Sequence, residues 1–317
     1  MRYEITHRTS YAYASDVSVS HHVARLAPRA LPFQRCLAHE LTVDPSPAQA
    51  ARREDYFGNE TAFFTVAGSH RTLVVTARSR VELLPRELPS AAGTPPWETV
   101  RDLFRRHDAA PGTNTQEFIF PSAMIPRLPE LAEYAAASFV ARRPLLEAVL
   151  DLTRRMFADF KFDSKATTVA TPLEQVIKYR RGVCQDFAHF QTGCFRALGL
   201  PARYVSGYLE TLPPPGRPRL VGADASHAWV QIFIPGAGWV DVDPTNNLLP
   251  SMRHVTVAWG RDFSDVSPIR GVIVGGGRHE LSVSVDVKPL DETAERSSRE
   301  AGRAMMQSQT NNRQEQR

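Results

Sequence analysis

With 317 residues, 42% of them hydrophobic and 23% charged, the chain can bury one large core or two moderate ones. Its 38 basic and 34 acidic residues leave a net charge of +4 with no Lys/Arg block, which argues against nucleic acid as a partner. No apolar run reaches bilayer-spanning length and the opening "MRYEITHRTSYAYASD" has no signal-like apolar stretch, so no membrane partner is expected and the expected location is cytoplasmic.

The first part of the chain reads as strands. Tyr3, Ile5, Tyr11 and Tyr13 share one parity in "RYEITHRTSYAY", as do Leu37, Leu41 and Val43 in "CLAHELTVD" and Leu73, Val75 and Ala77 in "RTLVVTARS". Turn chemistry at "DPSP", "YFGNE" and "AGSH" separates such runs, which predicts a small antiparallel β-sandwich over residues 1–86. "PRELPSAAGTPP" then reads as a linker, followed by connecting helices to residue 140, among them "WETVRDLF" and "PELAEYAAASF". In "PLLEAVLDLTRRMFADF" the residues Leu146, Val149, Leu150, Leu152 and Phe157 suit a helix that begins at Pro144. Strand-like runs follow: "ARYVSGYLE", "SHAWVQIFI", "GWVDVD", "HVTVAW" and "HELSVSVDV". Residues 141–290 therefore form a second unit, the chain as a whole is α+β, and the polar segment 291–317 reads as a disordered tail.

Of the three cysteines, Cys36, Cys184 and Cys194, none forms a CxxC pair, and three are too few for a disulfide framework. Cys194 falls on the apolar stripe of a helix and Cys36 on a predicted strand, so both read as small buried hydrophobes. Cys184 is different. Gly182 ends the segment before it, and Cys184, Phe187, Phe190, Cys194 and Leu198 recur at helical spacing up to Gly199-Leu200-Pro201. Cys184 thus falls in a first turn, where free N–H groups and the positive end of the helix dipole favour a thiolate and can also hold an oxyanion.

A thiolate nucleophile needs a base and a group to orient that base. Among the 10 histidines, His21 and His22 lie in the N-terminal unit and His189 points to another side of the Cys184 helix. In "SHAWVQIFIPGAGWVDVDPTNN", alternation puts His227 and Trp229 on one side of a first strand and Trp239, Asp241 and Asp243 on one side of a second. If Pro235, Gly236 and Ala237 form a three-residue loop, Asp243 lies opposite Trp229 and diagonal to His227, about 7–8 Å away along the backbone and within side-chain reach. A four-residue loop turns Asp243 away. Asp243 can instead start the turn before Pro244 as an Asx residue. Trp229 and Trp239 are candidate walls of a substrate groove, and Gln185 is a candidate oxyanion donor.

The segments "GVCQDFAHF", "GLPARYVSGYL" and "SHAWVQIFIPGAGWVDVDPTNN", in that order, resemble the core of the transglutaminase-like superfamily, a papain-like fold with a Cys-bearing helix packed on an antiparallel sheet. The N-terminal β region with "YFGN" and the later "GRDFSDVSPIRG" resemble the bacterial branch that carries an extra N-terminal domain and is described as cysteine proteases. The resemblance implies Cys184 as nucleophile, His227 as base and Asp243 as the orienting carboxylate. Hydrolysis of a peptide or protein amide through a thioester is the expected chemistry, with no metal and no cofactor. Acyl transfer to an amine uses the same three residues. A non-catalytic binding protein on this scaffold, or a metal hydrolase, ranks below: the triad is intact, and no close ligand pair such as HExxH is present.

Overall fold

A computed structural model describes residues 1–106, 115–211 and 226–290; the predicted tail, 291–317, lies outside the described residues. The N-terminal sheet holds β1 (Arg2–Ala24), β2 (Gln34–Asp44), β3 (Gln49–Glu54) and β4 (Glu60–Leu83), and it also takes two strands from the far end of the chain, β11 (Ile269–Gly275) and β12 (His279–Leu290). β1 and β4 run its full length as a pair, and their register breaks between Ala12 and Val17. On one side of the break β12 and β2 flank the pair; on the other, β11 and β3 do. Leu73, Val75 and Ala77 from the first half bury together with Val17, Phe64 and Val66 from the second, so one sheet bent over itself encloses the small core.

Residues 269–290 pair with β1 rather than with the second unit. The connecting helices expected after the linker are α1 (Trp97–Arg105) and α2 (Pro129–Ala136), and they bury Val100, Phe104, Leu131 and Ala135 in the main core. Leu37 also departs from its predicted face. A bulge between Cys36 and Ala38 inverts the alternation, which leaves Leu37 exposed while Leu41 and Val43 pack inward.

The second unit follows α3 (Leu145–Asp159), β5 (Lys161–Phe162), α4 (Leu173–Tyr179) and β6 (Arg181–Gly182) with α5 (Cys184–Ala197). Its sheet runs β10-β7-β8-β9, built from β7 (Ala202–Leu209), β8 (Ser226–Ile234), β9 (Gly238–Val242) and β10 (His254–Gly260), before the short α6 (Phe263–Val266). α5 packs on β7 and β8, and Phe187, Phe190, Cys194 and Phe195 are buried there. Tyr3, Ile5, Val81, Leu83, Val285 and Val287 of the N-terminal sheet belong to this same core. At roughly 1.5–3 kcal/mol for each aliphatic side chain buried, those contacts make the two sheets one cooperative structure.

Candidate active site

α5 begins at Cys184, where the chain leaves β6 through Val183 and is capped from within the helix. Val183 is extended, and the Asp186 carboxylate reaches back to accept its N–H at 2.8 Å while also accepting the Thr167 hydroxyl at 2.6 Å. A side chain at Gly182 would run into Asp186, so the approach requires glycine. Cys184 is half-buried at the helix N-terminus, near enough to the His227 ring to act on its charge.

His227 is the second residue of β8 and is 8% exposed. Ile234 pairs with Gly238 across the loop Pro235–Gly236–Ala237, and the register continues to Val230 with Val242. The three-residue turn is therefore the one present. Asp243, one step beyond β9, comes diagonal to His227, and its Oδ2 lies 2.7 Å from His227 Nε2. With Nε2 on the carboxylate, Nδ1 is the ring nitrogen left for the sulfur.

Asp243 performs both roles open to it in the sequence. Its Oδ1 accepts the backbone N–H groups of Thr245 (2.9 Å) and Asn246 (3.2 Å), as an Asx turn before Pro244 requires. Its Oδ2 faces the site and accepts from His227, from the Asn246 side-chain amide at 2.7 Å and from His254 Nε2 at 3.0 Å. Burial alone would raise this carboxyl, but the two imidazole bonds win and hold it well below the ordinary carboxylate range. For His227 burial pushes downward, while the bonds to Asp243 and Cys184 outweigh it and raise the ring to about 10. His254 goes the other way: burial lowers it, and Asp243 offsets only part of the effect.

A second carboxylate supports the first. Asp241 is 1% exposed; it accepts Trp229 Nε1–H at 2.6 Å and the Arg86 guanidinium at 2.5 Å. Trp229, fully buried, lies behind His227 with ring centroids 6.1 Å apart and meets His254 edge-on at 5.3 Å, so it backs the imidazoles rather than walling a groove. The Arg203 guanidinium lies over Trp239, 4.1 Å from the ring centroid, and Phe118 and Phe233 meet the same ring edge to face, which makes it a packing residue. Gln185 turns its amide towards the Val169 carbonyl, 3.5 Å away, on the loop beside the helix start. Sequence reasoning missed His254, Asn246 and Arg86. Asn246 was within reach, since it stands in the same "DPTNN" turn.

His227, Asp243 and His254 bring ligand-type atoms within 4.8 Å of one another. Both imidazole nitrogens meet Oδ2 at hydrogen-bond length, so the donor chemistry is that of N–H groups on a carboxylate.

Comparison with known proteins places the chain in a family. Residues 3–82 match the model of the bacterial transglutaminase-like N-terminal region, and residues 133–244 match that of the transglutaminase-like superfamily. An uncharacterized protein of Mycobacterium bovis is 41% identical over 298 residues, covering 92% of this chain and 93% of that one. A protein-glutamine gamma-glutamyltransferase of Pseudomonas aeruginosa is 29% identical over 147 residues, 46% of this chain but only 22% of the relative. Among solved structures, a candidate cysteine protease from Cytophaga hutchinsonii shares the fold, with a TM-score of 0.70, 22% identity and 92% of each chain covered. The chain thus belongs to the transglutaminase-like superfamily, a family of thiol-dependent enzymes, and carries that family's bacterial N-terminal region.

Proposed function

We propose that the protein is a cysteine-dependent amide hydrolase acting on a peptide or protein through Cys184, His227 and Asp243. The observation that carries this reading is the His227 ring held 2.7 Å from the Asp243 carboxylate on one side and acted on by the Cys184 sulfur on the other. The sulfur of Cys184 adds to the amide carbonyl carbon, and the helix N-terminus faces the oxyanion with the backbone N–H of Cys184. His227, protonated beside the sulfur, gives its proton to the leaving nitrogen as the C–N bond breaks, leaving a thioester. Water then adds to the thioester, His227 takes one of its protons, and collapse returns the thiol and a carboxylic acid. Asp243 keeps Nε2 protonated and the ring in plane throughout.

Acyl transfer to an amine follows the same steps with an amine in place of water, and the partial likeness to a gamma-glutamyltransferase favours it as the second reading. One experiment separates the two: a mixed peptide library incubated with wild type and Cys184→Ala, with and without a primary amine. New carboxyl termini that depend on Cys184 support hydrolysis, and amine adducts support transfer. Equal, slow iodoacetamide labelling of Cys36, Cys184 and Cys194, with neither product formed, would mean a non-catalytic scaffold.

A further inference from the structure

One buried imidazole is left without a task by the three-residue mechanism. His254 is 5% exposed on β10, and its Nε2 meets the same Asp243 oxygen that receives His227. An ionised carboxylate can only accept, so Nε2 of His254 carries the proton. Its ring is neutral at neutral pH because burial disfavours the charge, which leaves Nδ1 bare. That Nδ1 is buried with no hydrogen-bond partner among the described residues. A buried acceptor without a donor is a destabilising feature that a Leu or Phe of similar size would not carry. Only the other nitrogen gives the imidazole a purpose.

We propose that His254 is a positioning residue for the thiol chemistry, acting through Asp243: its Nε2–H shares the carboxylate oxygen with His227, so that His227 can release its proton to the leaving group. The inference rests on the reading of Cys184, His227 and Asp243 as catalytic. Three N–H donors, the rings of His227 and His254 and the Asn246 amide, divide the charge of this oxygen between them. Were His227 the sole imidazole on Oδ2, more of that charge would bear on its Nε2–H and hold the imidazolium more tightly, making it a poorer acid. The titratable groups around this pair are Asp243 and Asp241 beside β9 and Cys184 at the start of α5. Beyond them stand Arg86, paired with Asp241, and Glu210 at the end of β7, whose carboxylate accepts the Tyr3 hydroxyl.

The test compares wild type, His254→Phe and His254→Gln; the glutamine amide can present an N–H where Nε2 stood. The rate of Cys184 alkylation by iodoacetate is followed against pH. The reagent is an anion, so its rate falls when the neighbouring imidazolium loses its proton. His254→Phe should move that alkaline midpoint upward by roughly half to one pH unit, the effect of one redistributed charged hydrogen bond, and should lower kcat for an amide substrate. His254→Gln should return both towards wild type. If Cys184 is selectively alkylated in wild type but both variants keep its midpoint and kcat, His254 only fills space and the proposal is wrong. If wild-type Cys184 is not selectively alkylated, the catalytic reading itself fails. Should His254→Phe not fold, nitrogen NMR of the wild-type ring decides: a neutral His254 protonated on Nε2 supports the proposal, and one protonated on Nδ1 overturns it.

Discussion

Asp243→Asn is the sharpest perturbation of the site, because it preserves shape and removes only charge. Asp243 takes five hydrogen bonds, at 2.7, 2.7 and 3.0 Å on Oδ2 and at 2.9 and 3.2 Å on Oδ1. An asparagine has one acceptor oxygen. If that oxygen keeps the two backbone N–H groups, its amide NH2 points at three other donors; the His227 ring can adapt only by moving its proton to Nδ1, facing the sulfur it should deprotonate. The Asp243 charge, the larger of the two influences that raise His227 to about 10, is lost as well, leaving Cys184 alone against the burial that pushes the ring down. At pH 7.5 the imidazolium then falls from nearly all molecules to about one in ten or fewer, a loss of at least about tenfold in any rate that needs it. The wrong tautomer should extend the loss in kcat to roughly a thousand- to ten-thousandfold. Iodoacetate alkylation of Cys184 at pH 7.5, with Cys36 as internal control, and amide turnover read the two effects separately. A variant within threefold of wild type in both, with His227 still titrating near 10, would refute the reasoning.

Stability should begin to fall with acid at buried histidines. Burial lowers both His7 and His189 from 6.5 to about 4, and His189 Nε2 must stay bare to accept the Phe263 N–H at 3.1 Å. The unfolded chain binds protons at these sites from about pH 6.5 and the folded chain only near pH 4, so Tm should decline through that window and His189→Gln should flatten the slope; a Tm constant between pH 7 and 4 would contradict this. Asp243, held low in the fold, adds a further loss as pH drops below the ordinary aspartate value of 3.8. Gly207, opposite His227 on β7, has no room for a methyl group: a Cβ would strike the Val255 carbonyl and lie 2.5 Å from the Trp229 ring. Gly207→Ala should lower Tm by roughly 2–5 °C in calorimetry, the effect of about 1–3 kcal/mol of overpacking in a chain of this size, and should slow Cys184 alkylation by displacing Trp229.

What the sequence discloses is local. Period-2 alternation around Pro235, Gly236 and Ala237 narrowed the β8–β9 pairing to a choice of loop length, and the three-residue turn present is the one that brings Asp243 to His227. Gly182 and the apolar stripe after it specified the start of α5. The features that escaped are non-local. Nothing in "HELSVSVDV" says that β12 returns to β1, since alternation defines a buried face and leaves the partner strand open. His254 reaches Asp243 only because β10 pairs with β7, placing residues from both ends of the sheet around one carboxylate. Phe157 illustrates the limit within one helix. The buried stripe of α3 runs through Leu145, Leu146, Val149, Leu152 and Met156, and Phe157, one position on, is turned outward and 53% exposed.

The N-terminal sheet acquires a purpose from the edge it covers. β10 is the outer strand of the second sheet, with a bulge between Thr256 and Ala258, and a bulged edge strand leaves peptide groups without a ladder. Two buried side-chain amides from the N-terminal unit serve as that missing ladder. Gln34 donates to the Thr256 carbonyl at 2.7 Å and accepts its N–H at 2.8 Å. Asn59, the last residue of "YFGN", donates to the Trp259 carbonyl at 2.9 Å and accepts its N–H at 3.0 Å. Each amide thus reproduces the donor and acceptor of a neighbouring strand, and Gln34 does so two residues from His254. Arg86, where the chain leaves the N-terminal sheet, adds the charge that pairs with Asp241 beneath Trp229. The half of the site that holds the carboxylate is therefore anchored from the N-terminal unit, while α5 positions the sulfur from the other side. A core cut free of residues 1–86 would keep Cys184 at its helix start and lose the supports that fix β10 and Asp241.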